Sequence, residues 1–460
     1  MIGRYNRGMM KWKSQLGVSI GRVANRGMRL IGRDSTALPG YLAERFERNS
    51  LGEFMRGRVY GSRILITGTN GKTTTTHALK TILEADGRPV VSNSSGSNLS
   101  RGVLTALMQD NRQGEDVTLL LEVDEASMPA VVAAAEPTHC VILNLFRDQL
   151  DRYGEVDTTQ KLLVRALIGS GAELILNGDD PWVAMIPKLT GSKRTHYFGL
   201  NIDGLQALPH DFAADQPVAP LTQAHISYQR RYFGHLGIYA ADDGSFKRPA
   251  LAVDVRKFNK QKTGQQKLHY MLQKKQHSIL TNLSGTYNAY NIAAVLLTSS
   301  LLGMNQKTVE AGIQSVKPAF GRQEILSIDG KVYQFYLIKN PSGFNQVIQQ
   351  ACTNQTDTRP ILFIINDNFA DGRDVSWLWD TAVEDIQPGS HIIVSGLRAY
   401  DMALRLEYAG LPCQVVPDPI KALQTSQKLA QADLGVRVLP TYTGLLQLRK
   451  HLALKLEHTI

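Results

Sequence analysis

The chain has 460 residues, 43% of them hydrophobic, three cysteines and a formal net charge of +10. That length holds about three average domains, or two large ones, each able to bury a core, and the ordinary apolar content excludes a disordered or fibrous chain. Cys140, Cys352 and Cys413 form no Cys-x-x-Cys pair, which excludes a disulfide framework and fits a reducing cytoplasm; no apolar run is long enough to span a bilayer, and the N-terminus lacks the compact apolar core of a signal peptide.

The positive charge collects at the head of the chain. Arg4, Arg7, Lys11, Lys13, Arg22, Arg26, Arg29 and Arg33 all precede the first acidic residue, Asp34, with Met9, Met10, Trp12, Leu16, Val18 and Ile20 interleaved. Three readings stay open: an imperfect amphipathic helix on an anionic membrane surface, a nucleic-acid contact, or a solvated basic arm.

The next element is "ILITGTNGKTTTTHALKTIL", residues 64–83, an apolar strand that breaks at a glycine turn and continues as a helical pattern. Gly68 and Gly71 free backbone N–H groups to close around phosphate oxygens, and the helix beyond them points its positive end at the same place. Lys72 then lies against the β- and γ-phosphates, and the Thr73 hydroxyl ligates Mg²⁺. The loop is shortened: Ile66 stands where the common phosphate-loop pattern has its first glycine. ATP is the ligand this composition favours over a plain structural turn.

Further on, "VTLLLEV" (117–123), "THCVILNL" (138–145) and "AELILNGDDP" (172–181) read as buried strands of a parallel sheet. Ligands in such sheets gather at the C-terminal strand ends, which makes Glu122, Asn144 and Asp148 candidates to share a site with Lys72. A carboxylate in the place of Glu122 suits a second protein contact to the nucleotide's Mg²⁺; its bland reading is a surface cap. Between about 200 and 280 the pattern weakens and reads as an insertion. It returns at "LSGTYNAYNIAAVLLTSSLLG", where Asn288 and Asn291 share one face of an apolar helix, placed to cap it or to read a base edge. After "PAFGRQE", the runs "RPILFIIND", "GSHIIVSG" and "CQVVP" read as strands of a second α/β domain. The expected layout is a basic segment over 1–40, a central ATP-binding α/β domain over 41–320 and a smaller α/β domain over 321–460.

Gly-Thr-Asn-Gly-Lys-Thr, "LEVDEA", "NLFRDQLDRYGE", "GTYNAYNIAA" and "FGRQE" together resemble the Mur ligases, ATP-dependent enzymes that join carboxylates to amines in peptidoglycan synthesis. "KNPSGFNQ" and "NDNFADGRDVSWLWD" resemble the MurT type within that family, and the likeness runs from about residue 35 onward. The resemblance implies a P-loop ATPase domain of Mur ligase type. In it Gly68, Thr69, Asn70, Gly71, Lys72, Thr73 and Thr74 bind the triphosphate, Thr73 and Glu122 ligate Mg²⁺, Asn291 contacts adenine, and Arg322 reaches the nucleotide from the hinge. Asn144 and Asp148 fall in the motif that helps form the cleft. Lys339 and Asn340 belong to a family-typical loop without an assignable role.

It also implies amidation of the α-carboxyl of D-glutamate in the lipid II stem peptide through an acyl phosphate. The ammonia for that step needs a glutaminase, whose chemistry requires an activated cysteine paired with a histidine. His139 and Cys140 are adjacent in a strand and point to opposite faces, and all three cysteines read as core residues. The glutaminase is therefore expected on a separate chain, a GatD-type amidotransferase in a heterodimer. An aspartate in "NDNFADGRD" is expected to support the partner's Cys–His pair. Asp367, Asp371 and Asp374 crowd that turn and need compensating donors or a cation; Asp367 is the choice, and Asx-turn caps are the bland reading. MurT-like chains often carry a four-cysteine zinc ribbon in the insertion. Here Ala219, Thr222, Ala240 and Asp243 stand at those places, so no structural zinc is expected; His210, His225 and His235 read as ordinary surface or core histidines.

The competing readings are another Mur-type amide ligase, with an amino acid as nucleophile and no glutaminase, and a non-catalytic ATP-binding scaffold. Nucleic acid is not expected as a partner, since no aromatic-rich platform accompanies the charge. The expected location is the cytoplasm, with a peripheral place at the inner membrane face as an option.

Overall fold

The computed structural model describes residues 12–30, 37–93, 97–148, 156–211, 217–261, 265–317, 322–328, 330–430 and 435–457. Arg4, Arg7, Lys11 and Arg33 of the basic head lie outside them.

A nine-stranded sheet organises the first part of the chain. Its strands are β1 (Tyr60–Thr67), β2 (Val90–Ser92), β3 (Gly114–Glu122), β4 (His139–Ile142), β5 (Glu173–Asn177), β6 (Thr195–Leu200), β9 (Val253–Lys260), β10 (Gln266–Leu272) and β11 (Lys275–Thr281). The order is β11-β10-β9-β6-β5-β4-β1-β3-β2. From β2 through β9 neighbouring strands pair in parallel, whereas β10 and β11 close the edge as an antiparallel hairpin. Ile64, Leu65 and Ile66 are fully buried because β1 is covered on both faces, as an internal parallel strand must be. One face carries helices Lys72–Ala85, Thr286–Leu301 and Gln306–Ser315; the other carries Ser100–Gln109, Met128–Ala135 and Val156–Leu167.

The register matters for function. Ile66 of β1 lies opposite Glu122 of β3, and Thr67 lies opposite Ile142 of β4. Three strands therefore end together, and the loops leaving them meet at one edge of the sheet.

The weak stretch from 200 to 280 divides in two. Residues 253–281 supply β9, β10 and β11 to the main sheet, while β7 (Ile226–Phe233) and β8 (Leu236–Ala241) form a separate two-stranded ribbon. Ala219, Ile226, Tyr239, Ala241 and Phe246 make a small core there with Ala184 and Met185. At the positions compared with zinc cysteines, the Thr222 and Ser245 hydroxyls lie 2.9 Å apart, and the Asp243 carboxylate accepts from the Ser245 hydroxyl at 2.7 Å. Hydrogen bonds from Thr222 and Ser245 hold the Asp243 carboxyl down at about 2. Apolar packing and hydroxyl bonding tie this ribbon together. His210 and His225 are exposed and face Asp385 and Asp242, whereas His235 is fully buried beside Asp180.

A buried carboxylate pins the ribbon to the sheet. Asp179 accepts from Arg248 Nε at 2.6 Å, from the Tyr290 hydroxyl at 2.7 Å and from Leu200 N at 2.8 Å. Burial pushes its carboxyl up to about 6 while Arg248 pulls it back. An acid raised on folding contributes stability that is present below its unfolded value and lost as pH rises through its folded value. Arg248→Met removes the pull and raises Asp179 further. The variant should lose roughly 3–5 kcal/mol at pH 8, as expected when one partner of a buried pair is removed, and less at pH 5. Thermal melts at the two pH values check this, and an equal deficit at both would contradict it.

A six-stranded sheet forms the C-terminal unit, in the order β12 (Arg322–Ile328), β13 (Lys331–Tyr336), β17 (Val436–Pro440), β14 (Ile361–Ile364), β15 (Ile392–Ser395), β16 (Cys413–Val415). All neighbours are parallel except the β12–β13 hairpin.

Candidate active site

The loop after β1 is shaped by two glycines that no other residue could replace without disturbance. Gly68 has φ +130° and Gly71 φ +93°, and a Cβ at Gly71 would stand 2.2 Å from Asn291 Oδ1. At Gly68 the added carbon would meet Asn144 N at 2.9 Å. Lys72 then opens the helix to Ala85, and Thr75 N donates back to Gly71 O at 2.9 Å.

Asn144, just past β4, clamps this loop: its Oδ1 accepts from Asn70 N at 2.8 Å and its Nδ2 donates to Asn70 O at 3.0 Å. Its own carbonyl accepts from Thr69 N at 2.9 Å, and Thr69 Oγ1 accepts from Phe146 N at 2.9 Å. Thr74 is buried in the first turn of the helix. Asn144 thus braces the cradle as well as lining the cleft.

Lys72 is almost wholly buried, with Nζ 2.6 Å from Gly68 O and 3.2 Å from Glu125 Oε2. Burial alone would lower its pKa, but the carboxylates of Glu125, Asp124, Glu122 and Asp148 outweigh it and hold the ammonium above the usual lysine value. Glu125 is a functional neighbour that sequence reasoning misses, although it stands within "LEVDEA". Glu122 meets the next residue of the loop: Thr73 Oγ1 donates to its Oε1 at 3.2 Å, and Asn98 Nδ2 approaches the same oxygen at 3.4 Å. Asn93 fixes the Glu122 backbone from both sides, at 2.9 and 2.8 Å.

The C-terminal unit closes over the loop. Lys339 Nζ donates to Asp148 Oδ2 at 2.7 Å and to Thr69 O at 3.2 Å, and Asn340 Nδ2 donates to Asn70 Oδ1 at 3.2 Å. Asn340 Oδ1 also caps helix Pro341–Ala351 by accepting from Gly343 N. Lys339 and Asn340, to which the sequence assigns no role, are therefore the residues that join the second unit to the phosphate loop. Between the units lies a cleft whose lining includes Gly71, Asn291, Tyr287, Tyr336 and Gln346. Asn291 faces this cleft, with Nδ2 donating to Asn288 Oδ1 at 3.1 Å, while Asn288 bonds back to Ser284 O. Arg322 begins β12 beside this region, and its side chain lies outside the described residues.

Asp367 stands apart from Lys72 and Glu122, on the turn after β14, with Oδ2 accepting from Arg398 Nε at 2.8 Å. Its neighbours in the turn are each compensated. Asp371 accepts from Thr443 N and Asp374 from Ser376 N, both at 2.8 Å. Cys140 and Cys352 are fully buried, which pushes both thiols up to about 12, far from a nucleophilic thiolate. Cys413, expected in the core, is only half-buried because β16 is an edge strand.

The arrangement fits a nucleotide with a divalent cation. The two glycines make a cradle that any Cβ would fill, at a helix N-terminus and next to a buried ammonium. Thr73 Oγ1 and Glu122 Oε1 offer neighbouring oxygen donors, the set Mg²⁺ prefers when phosphates and water complete its shell. Among the described residues no group of three or more His, Cys, Asp and Glu side chains could hold a metal.

Residues 66–216 match the Mur ligase middle domain and residues 337–445 match the MurT ligase C-terminal family. The lipid II isoglutaminyl synthase (glutamine-hydrolyzing) subunit MurT of Streptococcus pneumoniae is 30% identical over 454 residues, covering 96% of this chain and 98% of the relative. The chain belongs to the MurT family of Mur ligases. Solved structures agree on the Mur ligase fold. A pseudomurein peptide ligase type C from Methanothermus fervidus superposes with TM-score 0.68 at 20% identity, over 88% of this chain and 80% of that one. The MurF ligase from Thermotoga maritima in complex with ADP superposes with TM-score 0.62 at 14% identity, over 91% of this chain and 85% of that one. As a MurT-family chain the protein is an ATP-dependent ligase, with a phosphate loop, a cleft and a C-terminal unit that closes on both.

Proposed function

We propose that the protein amidates the α-carboxyl of D-glutamate in the lipid II stem peptide, giving D-isoglutamine, with ammonia supplied by a separate GatD-type glutaminase. The observation that carries this reading is the joining of an ATP cradle, through Lys339 and Asn340, to a MurT-type C-terminal unit, in a chain that aligns end to end with a relative named as a glutamine-hydrolyzing synthase subunit.

A carboxylate oxygen of the acceptor attacks the γ-phosphorus of ATP, the bond to the β-phosphate oxygen breaks, and ADP leaves. Lys72 holds its positive charge where the transferring phosphoryl group gains negative charge, and the loop N–H groups orient the triphosphate. Mg²⁺, held by Thr73 and Glu122, would supply further neutralisation of the phosphates. Ammonia then attacks the acyl carbon, inorganic phosphate leaves, and the nitrogen gives up a proton. The acyl phosphate must be kept from water, a task suited to the unit that closes over the cleft. Asn291 and Arg322 are assigned to the nucleoside side, Asn144 and Asp148 to shaping the cleft.

The cysteines of this chain offer no activated nucleophile, which supports a glutaminase on another chain. On helix Ala399–Tyr408, Tyr400, Leu404 and Tyr408 recur every four residues and stay exposed, Tyr400 at 71% and Tyr408 at 75%, and we assign this face to the partner. Arg398 at its start holds Asp367, which we assign to the partner's Cys–His pair. The site of action is then the cytoplasmic membrane face, where the lipid-linked acceptor is found.

The test is the mass of lipid II after incubation with the protein, ATP, Mg²⁺ and glutamine, with and without the glutaminase. A loss of about one mass unit per amidated carboxyl, dependent on the partner or on added ammonia, is expected. No change with either nitrogen source would reject this reading, and incorporation of an amino acid would favour another Mur-type ligase.

A further inference from the structure

The helix Trp12–Leu30 packs with the wrong face for a core helix. Among its described side chains the buried ones are Ser14, Gly17, Val18 and Gly21, at helical spacing, and three of the four are small. They allow a close approach to helix Leu38–Phe46: a Cβ on Gly21 would meet Pro39 O at 2.6 Å, and one on Gly17 would meet Ala43 O at 3.0 Å.

Three large apolar residues point the other way, while Val18 packs inward and Ile20 is half-buried. Trp12 is 68% exposed, Leu16 44% and Val23 69%. At about 100° per residue these three fall within one narrow stripe, opposite the packed face. Lys13 stands on one shoulder of the stripe, and Arg22 and Arg26 stand on the other. The whole chain up to residue 33 has no acidic residue. Arg22 reaches the neutral side chain of Asn111 at 3.4 Å, a contact that leaves its charge intact.

We infer that this outward stripe is a membrane-docking surface, which lays the N-terminal helix flat in the interface of an anionic bilayer. Trp12, Leu16 and Val23 enter the headgroup boundary, while Lys13, Arg22 and Arg26 meet the lipid phosphates. No helix among the described residues is long and apolar enough to cross a membrane, so the helix lies on the surface. Charge chooses between occupants. A second copy of the same face would set like charges against one another, whereas an anionic surface complements every shoulder residue. A nucleic acid backbone would leave the apolar apex unburied. The inference needs no acceptor or nucleotide, so it stands or falls separately from the amidation reading.

The experiment is co-sedimentation of the full chain with vesicles of phosphatidylcholine alone or mixed equally with phosphatidylglycerol. Binding to the anionic vesicles should exceed binding to neutral ones by about tenfold and weaken with salt. Two paired variants are compared, Trp12→Ser with Val23→Ser, and Lys13→Glu with Arg26→Glu. All four side chains are exposed, so unchanged circular dichroism and melting temperature are expected, with about a tenfold loss of vesicle binding in each pair. Absence of wild-type binding, equal binding to both vesicle types, or retention of binding in either variant would overturn the proposal. So would self-association of the wild type that the serine pair abolishes without any vesicle binding, which would make a second copy the occupant.

Discussion

Lys72→Ala is expected to abolish turnover while leaving the sheet in place. The ammonium stands inside the ring of Glu122, Asp124, Glu125 and Asp148 that raises its pKa. Without it the triphosphate would enter a cleft edged by carboxylates and meet repulsion where it needs attraction. A loss of roughly 10³-fold in ATP-dependent phosphate release is the expected scale for removing one preorganised charge from the transition state. Lys72→Arg should not rescue it. Nζ already sits 2.6 Å from Gly68 O with almost no exposure, and a planar guanidinium is bulkier and differently directed. Phosphate release measured with glutaminase and acceptor saturating decides the matter: activity within tenfold of wild type for the alanine variant would remove Lys72 from the mechanism. Circular dichroism is the control, because the unpaired carboxylates will also cost stability.

The parts of this site that are legible in the sequence are those built from contiguous residues. "ILITGTNGKTTTT" carries strand, turn and helix within one short stretch, so Gly68, Gly71, Lys72 and Thr73 can be placed from local chemistry alone. Glu122 and Asn144 come from the rule that ligands gather at strand ends, and the parallel register of β1 with β3 and β4 is what realises it. The contacts that stay hidden join chain segments far apart. The Lys339–Asp148 bridge spans 191 positions and the Asn340–Asn70 contact spans 270, and no periodicity announces either. The strands β9 to β11 read as part of an insertion for a different reason. β9 lies between β6 and β10, yet its burial alternates only at its start before it becomes mostly exposed, and a strand with one covered face needs no continuous apolar run. The N-terminal helix shows the limit of amphipathic reasoning. Of the apolar residues that interleave with the basic head, Trp12 and Leu16 face outward and Val18 packs inward, and Val23, which the sequence reading does not name, completes the outward stripe; the packing of Gly17 and Gly21 decides which face is covered.

Under the proposed function, Asp367→Asn should separate glutamine-supported from ammonia-supported amidation. In the proposed reading this carboxylate serves the partner's Cys–His pair, so glutamine-supported amidation falls by roughly 10²–10⁴-fold, the range seen when the carboxylate that orients a catalytic histidine is neutralised. Amidation supported by added ammonia should remain within about twofold, because Asp367 makes no contact with Lys72, Glu122 or the phosphate loop among the described residues. The companion Asp371→Asn tests the alternative that this turn is only structural. Asp371 accepts from both the backbone and the hydroxyl of Thr443, so its loss should lower the melting temperature and reduce both activities together. Arg398→Met frees the Asp367 carboxylate without removing it and should leave glutamine-supported activity measurable. If Asp367→Asn instead lowered glutamine- and ammonia-supported rates by the same factor, the residue would belong to the fold or to the ligase chemistry. The link between this turn and the glutaminase would then be lost. A selective loss confined to glutamine, with an unchanged melting temperature, ties the exposed face of helix Ala399–Tyr408 to the partner's active site, because the same turn presents both.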